Sequence, residues 1–361
     1  MPDLFDYLTW RGDIPMTQVP LGPVDNLILS ALVYVHFNNL VPQEPGPSVS
    51  LKDAAETYLS LPEDRRGRVR CRQDLELLRA LAAAPRFAPL RLTFYQDQFQ
   101  PENEMQFAAM AVLLGDGSAF LSFRGTDSTL VGWKEDFNMA FMDAVPAQLA
   151  ALRYVKRFAA SFSGRLLLGG HSKGGNLAVY AASQSPAAIR QRVTAVYSND
   201  GPGFTDHVIR SPGYRELLPR IDTYLPQSSV VGMLLEQEDP YTVVKSRQIG
   251  LLQHDPYTWE VLGGDFVRMQ SVTPGSRMTD LAIKRWLARL SPAEREDIVD
   301  TVFGLLSAGE ASYARELIQP HNLQAVLRSL KNTDAASRRV MAQAIAGLVQ
   351  TALNTFREGG E

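Results

Sequence analysis

The chain has 361 residues, of which 45% are hydrophobic and 21% charged, with a formal net charge of −3. That length carries a substantial core, one large domain with additions, and the near-balance of charge removes any electrostatic case for nucleic acid as a partner. The single cysteine, Cys71, excludes an internal disulfide and fits a reducing, cytoplasmic setting.

Met1-Pro2-Asp3-Leu4-Phe5-Asp6 is acidic and shows no signal-peptide pattern. The longest apolar run, Ile28 to Phe37, is too short for a transmembrane segment and contains Ser30 and His36. Residues 1–88 read as an N-terminal helical segment. Val24, Leu27, Ile28, Ala31, Leu32 and Val35 recur at helical spacing, Ser50 with Asp53 forms a helix start, and a Leu/Ala-rich helix from Asp74 ends before Pro85. The basic run Arg65, Arg66, Arg68, Arg70 and Arg72 is interleaved with Glu63, Asp64 and Asp74 and reads as a solvated loop and helix start.

Residues 89–272 alternate strands and helices, which predicts a mostly parallel sheet with helices on both faces. Leu90–Phe99 and Met105–Leu114 are strand-like. The turn Gly115-Asp116-Gly117 joins the second of these to Ser118–Phe123 as a hairpin. Pro146–Phe162 is a helix with Leu149, Leu152, Val155 and Phe158 inward. Arg165–Gly169, Arg192–Ser198 and Arg220–Leu225 are further strands. Residues 273–361 return to helix, with starts at Ser291-Pro292-Ala293-Glu294, near His321 and near Asp334, and a helix over Ala311–Ile318. No metal-ligand cluster or cofactor motif is present, so none is expected.

The chemistry concentrates in Gly170-His171-Ser172-Lys173-Gly174. An apolar strand precedes it and the helical Gly175-Asn176-Leu177-Ala178-Val179-Tyr180 follows. Strand, G-x-S-x-G, helix is the nucleophile elbow. Its glycines remove Cβ atoms that would collide in the turn. The first amides of the helix face whatever sits beside the Ser172 hydroxyl. A phosphate loop fits badly, because Lys173 follows the serine instead of preceding it.

A serine nucleophile needs a base, an acid to orient it and donors for the oxyanion, and on this fold the chain order is Ser, acid, His. Of the five histidines, His36 and His171 precede the serine. His207 leaves little room for an acid, and His321 belongs to a C-terminal helix start. His254 follows the last strand-like segment and is the expected base. Asp200, just past the Arg192–Ser198 strand, is the candidate acid, although Asp200-Gly201-Pro202-Gly203 is also a turn sequence. Glu236, Glu238 and Asp239 are its rivals. The amide of Lys173 and the amide and hydroxyl of Thr126, in Phe123-Arg124-Gly125-Thr126, are the candidate oxyanion donors, such donors being worth ~3 kcal/mol each.

Phe123-Arg124-Gly125-Thr126 followed by Trp133 and Asp136, together with the Gly170–Gly175 elbow, resembles the class 3 or fungal-type triacylglycerol lipases. The match is closer still to a related family of bacterial proteins carrying Gly-His-Ser-Lys-Gly-Gly-Asn and Asp-Gly-Pro-Gly-Phe segments. The resemblance covers roughly residues 90–260. It implies an α/β-hydrolase fold, a Ser172 nucleophile, Thr126 in the oxyanion hole and a small-molecule or lipid ester substrate. Acyl transfer, thioester cleavage, or ligand binding without catalysis are the alternatives.

Two departures stand out. Lysine replaces the lipases' leucine at 173, which either favours an anionic substrate or pairs with a carboxylate. The strand that precedes the lipase acid leads here into Pro226-Gln227-Ser228-Ser229, without a carboxylate, which moves the expected acid to Asp200. Arg124 and Asp136 are read as structural, as an ion pair holding the oxyanion loop.

Overall fold

The computed structural model describes residues 1–276 except Arg68, Ser128, Ala140 and Gln237, together with Ser291, Arg295, Glu296, Val299, Asp300 and Phe303. Of the helix starts read in 273–361, those at Pro292–Glu294, Ala311–Ile318, His321 and Asp334 lie outside the described residues.

Helices α1 (Leu4–Arg11), α2 (Pro23–Leu32), α3 (Leu51–Ser60) and α4 (Arg72–Ala83) come first, with the short strand β1 (Val49–Ser50) among them. The antiparallel strands β2 (Arg91–Gln100), β3 (Met105–Leu113) and β4 (Ser118–Phe123) follow. Helices α5 (Leu130–Asn138) and α6 (Pro146–Ser161) lead to β5 (Arg165–His171), and α7 (Lys173–Ser183) and α8 (Ala187–Arg190) to β6 (Val193–Asn199). Helices α9 (Asp206–Ile209) and α10 (Pro212–Leu217) precede β7 (Ile221–Pro226) and β8 (Tyr241–Val244). The last strands are β9 (Val261–Leu262), β10 (Asp265–Phe266) and β11 (Arg268–Met269).

One nine-stranded sheet runs β1-β2-β3-β4-β5-β6-β7-β8-β11. The five strands from β4 to β8 are mutually parallel, and the flanking pairs are antiparallel. Successive strand residues point to opposite faces, and both faces are buried. Phe120 and Tyr197 join one core with α1, α2, α3 and α4. Leu121, Phe123, Leu166, Leu168 and Val196 join the other with α6, α7 and α10. This is why β5 reads as an uninterrupted Leu-Leu-Leu run.

The Ser50 cap forms as read, its hydroxyl accepting from the Asp53 amide at 3.0 Å. The inward face of α6 keeps Val155 and Phe158 as read, with Leu152 half-buried against the core, and departs from the reading at Leu149. Leu149 is 41% exposed, while Ala147, Ala150, Ala151, Tyr154, Val155 and Phe158 are buried. Small residues let the helix lie close to α7 and β3, so alanines join Val155 and Phe158 in its buried stripe. This mixed sheet, covered on both faces and turning at Ser172 into α7, has the α/β-hydrolase architecture.

Candidate active site

The sheet brings the ends of β4, β5 and β6 level, with Phe123 opposite Gly170 and His171 opposite Asn199. Loops leaving these three strands therefore meet at one edge, where parallel sheets hold reactive groups. Ser172 sits at the apex between β5 and α7 with φ 58° and ψ −134°, a costly conformation for a non-glycine residue. Its amide is pinned to the Asn199 carbonyl at 2.9 Å. A Cβ at position 170 would collide with the backbone of Gly174, and one at 174 with the carbonyl of Phe123. The two glycines are a packing requirement of the turn.

Asp200 follows β6 directly, is 1% exposed and has φ 52°, a left-handed conformation that aspartate tolerates. Its Oδ2 lies 2.6 Å from His254 Nδ1. Its Oδ1 accepts from the Ser229 hydroxyl at 2.5 Å and the Gly232 amide at 3.1 Å. Ser229 stands in the stretch after β7 that lacks a carboxylate, so that strand contributes a donor to Asp200. Asp239 is instead held by Tyr214 and Thr223, at 2.7 and 2.5 Å. Glu238 is exposed, and Glu236 bridges its backbone to Phe204. His207 is exposed on α9.

His254 ends a 3-10 turn, Gly250–His254. Its ring lies 4.6 Å from that of His171, the chain neighbour of Ser172. Among the described residues no hydrogen bond joins the Ser172 hydroxyl to His254; such contacts commonly tighten only when substrate binds.

Gly125 backs directly onto the elbow. A Cβ there would lie 3.0 Å from Ser172 Cβ and 2.5 Å from the His171 carbonyl oxygen. The Gly125–Thr126 peptide is thus beside Ser172. Among the described residues, neither the Thr126 nor the Lys173 amide has an acceptor. The Thr126 hydroxyl differs from the expectation: it contacts both Asp136 oxygens, at 2.8 and 2.6 Å. Its one hydrogen is committed there while Asp136 is ionised, which leaves the amide as the available donor. Burial pushes the Asp136 carboxyl up to about 6, against the opposing pull of Lys173, Thr126 and His254.

The expected Arg124–Asp136 ion pair does not form. Arg124 pairs with Asp97 at 2.8 Å, and Asp97 also holds His36 at 2.9 Å. The Lys173 ammonium is fully buried, 2.9 Å from both Glu135 Oε2 and the Gln106 carbonyl. Its choice is therefore a carboxylate partner within the core, not an anion in the cleft. Arg70 leaves the solvated basic run: it lies 4.9 Å over the Tyr34 ring and contacts Asp74 and Asp255 at 3.4 and 3.5 Å. Spacing carried no signal for Glu135, in the connection from β4 to β5, or for Ser229 and Gly232, in the connection from β7 to β8, because these connections reach the site from elsewhere in the chain. Among the described residues no group of three or more His, Cys, Asp or Glu side chains could hold a metal ion. No helix among them is long and apolar enough to cross a membrane.

Among solved structures, the chain is similar to a Rhizomucor miehei lipase–propeptide complex (14% identity, 60% of this chain and 69% of the other, TM-score 0.36). It is also similar to a triacylglycerol lipase described as having a serine protease triad at its catalytic centre (14%, 71% and 89%, TM-score 0.38). A third is a mutant of MDLA from Penicillium cyclopium (12%, 70% and 87%, TM-score 0.36). No curated protein matches the sequence. A family model described as Mbeg1-like matches residues 81–304, more than half of the chain, and the protein belongs to the Mbeg1-like family.

Proposed function

We propose that the protein is a serine hydrolase that cleaves a carboxylic ester through an acyl-enzyme. The observation that carries this reading is the 2.6 Å Asp200–His254 contact beside a serine on a strained elbow. In it, Ser172 attacks the acyl carbonyl and His254 takes the hydroxyl proton. Asp200 fixes the ring through Nδ1, which leaves Nε2 as the base, and stabilises the imidazolium. The Lys173 and Thr126 amides receive the negative charge on the carbonyl oxygen. His254 then protonates the leaving alcohol, and water, deprotonated by the same ring, releases the acid and restores Ser172.

A fluorophosphonate probe tests the assignment. The wild type should be labelled and Ser172→Ala should not. Asp200→Asn should lower turnover of a p-nitrophenyl ester by on the order of 10⁴. Absence of labelling in the folded wild type would leave ligand binding without catalysis as the better account.

A further inference from the structure

His171 is 1% exposed, and both of its ring nitrogens are engaged. Nε2 lies 2.7 Å from the main-chain carbonyl oxygen of His254, and Nδ1 lies 3.2 Å from the Tyr34 hydroxyl. A carbonyl can only accept, so the proton of the neutral ring sits on Nε2, and Nδ1 accepts from Tyr34. Burial, with the charges of His254 and Arg70 nearby, lowers the His171 pKa well below the ordinary imidazole value. The ring is therefore neutral and its tautomer single.

We infer that His171 is the positioning residue that sets the nucleophile-to-base separation, through its peptide bond to Ser172 and its Nε2–H···O bond to His254. The inference rests on the hydrolase reading and assigns His171 no contact with substrate. Neighbouring contacts restrain the rest of the same loop. The Trp259 indole donates to the Gln253 carbonyl at 2.8 Å. The Gln253 side chain accepts from the Ser228 amide at 2.7 Å. Arg70 pairs with Asp255 at 3.5 Å. These hold the residues before and after His254; His171 alone among them joins the base to the elbow. The Tyr34 hydroxyl, just after α2, donates to Nδ1 in that tautomer, so the segment before the sheet meets the His171 ring.

The geometry fixes which substitution can replace the histidine. A glutamine amide reaches about as far as Nε2, whereas an asparagine amide reaches only as far as Nδ1. His171→Phe keeps a ring of similar size without a donor. Displacing a base by about 1 Å costs on the order of 10²-fold in rate. The rate constant for fluorophosphonate labelling of Ser172 should therefore fall about 10- to 100-fold in His171→Phe and His171→Asn, and should return to within about fivefold of wild type in His171→Gln. KM for a p-nitrophenyl ester should stay within about twofold throughout, since ground-state binding is untouched.

A second readout is independent of turnover. The downfield proton NMR resonance of His254 Nδ1–H, bonded to Asp200, should persist in His171→Gln and broaden or shift in His171→Phe. A folded His171→Phe protein with wild-type labelling and an unchanged resonance overturns the inference. If that variant does not fold, equal labelling rates in His171→Gln and His171→Asn overturn it instead. A wild type that is not labelled at all would sink the hydrolase reading, and the resonance alone would then decide whether His171 holds the loop.

Discussion

Asp200 gathers three donors, Ser229 and Gly232 from the segment after β7 and His254 from the Gly250–His254 turn. A hydrogen bond to a charged group contributes ~1.5–3 kcal/mol. Ser229→Ala should therefore slow ester turnover by about 10- to 100-fold at unchanged KM, as steady-state kinetics would show. Asp136 behaves in the opposite way to a typical paired carboxylate. Burial holds its folded pKa at about 6, above the ordinary carboxylate value of 3.8, so the folded protein binds the extra proton. The stability this proton supplies is present below the unfolded value and disappears as pH rises through about 6. Asp136→Asn should consequently gain on the wild type between pH 5 and pH 7, read from urea unfolding at both values. The meeting of His254 with Asp200 was legible at this scale because the chain order expected of a serine site left few choices. The partners of Lys173, Arg124 and Arg70 were not, because a charged side chain of that length can reach a carboxylate from any neighbouring strand.

At the level of elements, the elbow is held by two glycines and one buried ion pair. Gly174→Ala would push a Cβ onto the Phe123 carbonyl and should leave little folded protein, measurable as lost near-ultraviolet circular dichroism. Glu135 also accepts from the Ala147 and Gln106 amides, at 2.8 and 3.1 Å. It thereby joins α5, α6 and β3 to the Lys173 ammonium at the start of α7. Glu135→Gln strands that ammonium in the core and should cost about 3–5 kcal/mol, whereas adding Lys173→Met to Glu135→Gln, which removes the stranded charge and keeps an oxygen for a backbone amide, should recover part of the loss. Chemical denaturation of the single and double variants checks both expectations. The hairpin, the Ser50 cap and the elbow were readable because each is made within a few residues. The exposure of Leu149 on α6 was not, since the buried stripe depends on how closely α7 and β3 approach the helix.

Across the whole molecule, the N-terminal helices are built into the sheet. Asn26 and Asn199 exchange side-chain hydrogen bonds at 2.9 and 3.1 Å, and Asn199 also reaches the Gly170 carbonyl at 3.0 Å. Further out, Arg86 grips Asp25 with contacts of 2.8 and 2.5 Å, both side chains 1% exposed. Removing residues 1–88 would uncover Leu92, Val112, Phe120 and Tyr197 at about 1.5–3 kcal/mol for each large apolar side chain. The truncated chain should lack the cooperative thermal transition of the full chain in calorimetry.

Hydrophobic period, turn residues and the G-x-S-x-G spacing, all properties of neighbours in the chain, were enough to determine the strand-helix alternation and the turn at Ser172. Which carboxylate meets His254, where the Lys173 charge goes and what holds the His254 loop depend on residues far apart in sequence. Only the lateral order of strands, which sets the distances between their loops, decided them.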